Sequence, residues 1–149
     1  MNNFGFVALW TIVASGTALE TTVSTPQEKI QRTVRFRCRE ESKKRFDVEA
    51  VRVDGAIKPP NKLVDVQPEF PDFPPGTTFA GIWIGDILVD TDGLVVDAWT
   101  LREPKFEPPF PEFTAAVLKS VTKWKYEPLN VEGNRVPFCM SIIVNLDTM

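Results

Sequence analysis

The chain has 149 residues, 43% of them apolar and 25% charged, enough for one ordinary domain with a core and a solvated surface. Its net charge of −3 argues against a general nucleic-acid-binding surface. It has no histidine, which removes the commonest general base and the commonest zinc ligand.

The N-terminal run Phe4–Leu19 is apolar and uncharged, and short for a transmembrane helix. Gly16-Thr17-Ala18 supplies small residues for cleavage. Residues 1–19 read as a secretory signal peptide, with a short membrane anchor as the alternative. Residues 20–64 read as a leader that carries a β-hairpin. Its strands are Thr33–Cys38, which alternates apolar and basic residues, and Phe46–Val53, with the polar stretch Arg39–Arg45 between them. Ile57-Lys58-Pro59-Pro60 is too rich in proline for a central strand.

Residues 65–149 read as the main domain. Asp65–Gly76 must be extended, because Pro68, Pro71, Pro74 and Pro75 forbid a helix there. Gly81–Val89 and Leu94–Leu101 are apolar strands joined by Asp90-Thr91-Asp92-Gly93, a strong hairpin signal. A helix should start near Pro111-Glu112. Phe113, Val117, Val121 and Trp124 fall within about 80° of arc on its wheel, and Pro128 should end it soon after Lys125. Asn130–Asn134 is a turn. In the last strand Val136, Phe138, Met140, Ile142, Val144 and Leu146 share one face.

These elements predict an α+β fold, a three-stranded antiparallel sheet in the order second–first–last under one main helix, with the N-terminal hairpin in addition. The last strand should be an edge. The chemistry-bearing residues point away from catalysis. No nucleophile stands with a base and no glycine loop cradles phosphate. Asp90-Thr91-Asp92-Gly93 lacks the remaining ligands of a calcium loop and reads as a turn. No catalytic, metal or cofactor site is predicted; an enzyme would have to rest on carboxylates such as Asp86 or Asp97. Export would allow a disulfide between Cys38 and Cys139. Two unpaired thiols are the alternative.

The run Trp124-Lys125-Tyr126-Glu127-Pro128, followed by Gly133 and a final alternating strand, resembles the C-terminal domain of the TonB family. Gln67-Pro68-Glu69-Phe70-Pro71 is similar to the Pro-aromatic-Pro segment before that family's first strand. Asp54-Gly55 to Leu63 is similar to its leader. The match covers about Val66–Leu146. Asp72-Phe73-Pro74-Pro75 stands where the family usually has Ala-rich helical sequence. Fewer than 50 residues separate Leu19 from Val66, roughly 150 Å when fully extended.

The resemblance implies a periplasmic domain that grips an extended segment of a partner. That partner would be an outer-membrane TonB-dependent transporter or another envelope protein, and inner-membrane motor proteins would supply the energy. A stand-alone envelope domain without energy transduction is the alternative, and a homodimer stays open. The expected contact mode is β-augmentation on the last strand. The candidate contact residues are Gln67, Phe70, Phe138, Met140, Ile142, Ile143, Val144 and Asn145.

Overall fold

The computed structural model describes residues 25–146. The expected signal peptide or anchor, residues 1–19, lies outside them. Along the chain come α1 (Pro26–Phe46), β1 (Val51–Arg52), β2 (Lys62–Val64), β3 (Thr78–Ala80), β4 (Trp83–Val89), β5 (Val95–Arg102) and β6 (Lys105–Glu107). There follow α2 (Glu112–Val121), β7 (Lys125–Tyr126), β8 (Leu129–Val131), β9 (Asn134–Val136) and β10 (Phe138–Val144). Among the described residues no helix is long and apolar enough to cross a membrane.

The main sheet has the order β1-β10-β4-β5. Within it β5, β4 and β10 are antiparallel neighbours, in the expected second–first–last order. The Asp90–Gly93 turn closes the β4–β5 hairpin. The Asp90 carboxylate accepts hydrogen bonds from the Asp92 and Leu94 amides, both at 2.9 Å. Gly93 has φ +85°, and a Cβ there would sit 1.9 Å from the Tyr126 carbonyl oxygen. The turn therefore admits the backbone after α2 to close approach, and the Tyr126 amide donates to the Gly93 carbonyl at 2.8 Å.

The expected N-terminal hairpin is not formed. A 21-residue helix takes its place, and only Val51–Arg52 survives as strand. The local chemistry explains the difference. Thr25 and Glu28 form a reciprocal capping box, Pro26 opens the first turn, and three basic residues occupy the last. A six-residue alternation is short evidence for a strand. Over a longer window Cys38 and Ser42, four residues apart, are both buried, which is helical spacing. Ser42 Oγ donates to the Arg39 carbonyl and accepts from the Ala50 amide at 2.8 Å, fixing the return of the chain.

Helix α2 starts where expected and buries Phe113, Val117 and Val121. It ends at Val121, before the expected exit at Lys125. Lys125–Tyr126 instead forms β7, paired with β2. Trp124, between helix and strand, is buried, and its Nε1 donates to the Val66 carbonyl at 2.9 Å. The Lys62 ammonium covers its ring at 3.3 Å. The proline-rich stretch after Val64 forms no helix, as expected, and has a turn at Pro75-Gly76. It is held along α2 by that bond and by Phe70 stacked on Phe113 at 5.0 Å. The turn expected at Asn130–Asn134 joins β8 to β9, with Glu132 and Gly133 both at positive φ.

The sheet has two covered faces. Trp83, Ile87, Val89, Phe138, Met140 and Ile142 pack under α2 in the larger core. Leu88, Trp99 and Cys139 meet Cys38 in a smaller core on the opposite side. A disulfide joins Cys38 to Cys139, with Cα atoms 6.3 Å apart. The expected pairing is present, but a helix rather than a hairpin brings Cys38 to the sheet.

Candidate partner-binding edge

The alternation of β10 sorts both its side chains and its backbone. Even-numbered side chains enter the core under α2. The Pro137 and Cys139 carbonyls point away from β4 and accept from the Val51 and Val53 amides, each at 2.9 Å. By the strand's period of two, the Ile143 backbone points to this same outer edge. The registered pairing with β1 ends at Arg52 opposite Cys139. Past Val53 the chain turns away, with the Ile57 amide donating to the Asp54 carbonyl at 2.8 Å.

The last strand was expected to be an edge along its whole length. Its N-terminal half is instead covered by β1, because residues 51–53 return from α1 parallel to it. Among the described residues, no strand pairs with this edge beyond Cys139. The exposed apolar side chain of that stretch is Ile143, at 63%.

The expected contact residues therefore separate into groups. Phe138, Met140 and Ile142 are buried core side chains, available to a partner only through the backbone. Val144 and Asn145 are half-buried, and Ile143 alone presents its side chain. Phe70 is half-buried against Phe113. Gln67 is exposed in a shallow recess with Ala116 and Lys119 of α2 and Lys123 just after it. A segment on the β10 edge would follow β10 beyond the end of β1, whereas the surroundings of Gln67 belong to α2.

A polar cluster secures the covered half. Asp86, in the middle of β4, is fully buried. Arg52 Nη1 donates to Asp86 Oδ2, and Arg52 Nη2 donates to Ser141 Oγ at 2.7 Å. Ser141 Oγ in turn donates to Asp86 Oδ1 at 2.9 Å. The three residues lie on β1, β10 and β4, so the cluster binds three strands across one face. A buried carboxylate requires such compensation. In the sequence Asp86 stands out only as a carboxylate on which an enzyme would have to rest. The signal that could have found the cluster was a charge in the middle of the apolar run GIWIGDILV. Asp97, the other carboxylate considered, accepts from the Ala98 amide and pairs with Arg45 at 3.6 Å. Tyr126 is buried, and burial, with the Asp65 carboxylate adding to it, pushes its phenol well above the ordinary value.

Comparisons of the chain with protein-family models, with curated proteins and with solved structures find no match.

Proposed function

We propose that this chain is a TonB-like envelope domain that binds an extended segment of a partner protein by β-augmentation. The segment adds to the outer edge of β10 beyond the end of β1, and backbone hydrogen bonds carry the affinity. The observation behind this reading is the half-covered edge, with β1 ending at Arg52 and Ile143 63% exposed past it. An uncovered edge is a template for another strand. The sequence motifs that resemble the TonB family, and an α+β sheet crossed by α2, support the same reading. The Cys38–Cys139 disulfide is compatible with an oxidising compartment such as the periplasm. The partner is an outer-membrane transporter, in energy-coupled transport.

The cross-linked position of α1 favours a second reading, an envelope domain that binds without transmitting force. Residues 26–46 are helical and tied to the sheet through Cys38, so they do not serve as an extended spacer.

The test is titration of the labelled protein with peptides from the N-terminal plugs of outer-membrane transporters, followed by amide shifts. Shifts should concentrate on residues 141–144. Ile143→Pro should abolish them while the fold persists, and Ile143→Ala should largely keep them. Shifts confined to the Asp90–Gly93 turn, or none with any such peptide, would reject this reading.

A further inference from the structure

Six phenylalanines collect where the proline-rich segment meets β6 and the start of α2. Phe73 lies 4.8 Å from Phe110, Phe106 lies 5.1 Å from Phe113, and Phe79 lies 6.1 Å from Phe106, all between ring centroids. Phe110 and Phe113 are buried, as core residues should be. Phe73 and Phe79 are 40% and 45% exposed. Exposed aromatic rings gathered in one place, rather than scattered singly, mark an interaction surface.

Beside these rings a cleft of about 260 Å³ opens between β6 and α2. Its apolar walls are Pro104, Phe106, Pro109 and Phe110, and Glu103 and Thr114 add a carboxylate and a hydroxyl. Proline walls hold a fixed φ, and the phenylalanines are wedged against one another, so the cleft is preformed. The charge around it is one-sided. Segments 69–79 and 102–112 carry the exposed carboxylates Glu69, Asp72, Glu103, Glu107 and Glu112, against Arg102 and Lys105.

We propose that this cleft binds a proline-rich segment of another protein in the polyproline II conformation, with a basic side chain directed at Glu103. Aromatic and proline walls suit the ridge of such a helix, which is stiff before binding and loses little entropy. The acidic surroundings select a Lys or Arg over an acidic residue. This site lies on β6 and α2, so it is separate from the β10 edge and does not depend on it.

The probe is a fluorescein-labelled peptide of repeated Pro-Pro-Arg-Pro, added to the full chain and followed by anisotropy and amide shifts. Saturable binding with shifts centred on residues 103–114 is expected. Replacing the arginines by glutamates should weaken binding at least about tenfold, a difference of about 1.4 kcal/mol. Glu103→Lys, at an exposed position, should leave the spectrum of the free protein intact and reverse the preference between the two peptides. Ile143→Pro should leave this binding unchanged. Equal affinity for both peptides, or for a Gly-Ser-Arg peptide without proline, would overturn the proposal. So would shifts outside the cleft, binding of anionic phospholipid vesicles in place of the peptide, or concentration-dependent self-association that buries the same residues.

Discussion

Arg52 reaches across β10 to the carboxylate of Asp86, which has no exposed surface. The two residues lie on strands that are not paired with each other in the sheet. Ser141, on the strand between them, bonds to both. The short β1 is thus held by side chains as well as by its two registered backbone positions.

Removing one member of this pair should be costly. Arg52→Ala leaves a buried carboxylate without its cation and should destabilise the domain by about 3–5 kcal/mol. Ser141→Ala removes one hydroxyl and should cost about 1–2 kcal/mol. Urea melts of the two variants check the order. A smaller loss for Arg52→Ala than for Ser141→Ala would mean that β1 is not held through Asp86.

Trp124→Ala should cost about 3–5 kcal/mol, the range for deleting a large buried aromatic. The indole is buried, stands under Lys62 and bonds to Val66, so its loss also loosens the extended segment along α2. Thermal melts measure it. A change below about 1 kcal/mol would contradict the burial.

The disulfide closes a separation of 101 residues. On chain-entropy grounds such a loop is worth about 4–5 kcal/mol. The Cys38→Ser, Cys139→Ser double variant should therefore melt at much lower urea concentration. The unreduced wild-type protein, unfolded in guanidinium, should show no free thiol; two titratable thiols would refute the link.

Tyr126 gives the stability a dependence on alkaline pH. Its folded-state value is raised, so the neutral phenol favours the fold. That contribution is fully present below the unfolded value of about 10 and is lost as pH rises above it. Tyr126→Phe should flatten the decline in stability above about pH 10. An unchanged alkaline limb would show that the phenol ionises without hindrance.

Much of the domain beyond Val64 was legible because each element carried more than one consistent signal. The Asp90–Gly93 hairpin combined turn chemistry with apolar flanks, and β10 combined alternation with length. The strand pairs β2–β7 and β3–β6 were not legible, since Lys62–Val64 and Thr78–Ala80 have exposed side chains and no period to read. Residues 26–46 misled because Thr33–Cys38 alternates locally while the capping box at Thr25 and Glu28 decides the helix from outside that window. The candidate edge was half legible. Ile143 follows from the strand's own pattern, but the cover over Phe138 and Cys139 comes from Val51 and Arg52, remote in sequence.

The position of β10 between β1 and β4 also sets an order of events during synthesis. The first and last strands of the described chain are neighbours in the sheet. While the ribosome is still making residue 130, α1 and β1 have emerged but the strand they dock against does not exist, and Cys38 has no partner. The β4–β5 hairpin and α2 can assemble early from contacts close in sequence. Closure of the sheet, burial of Asp86 and formation of the disulfide all wait for β10, so an N-terminal helix and strand stay undocked until a segment about 90 residues further on is available.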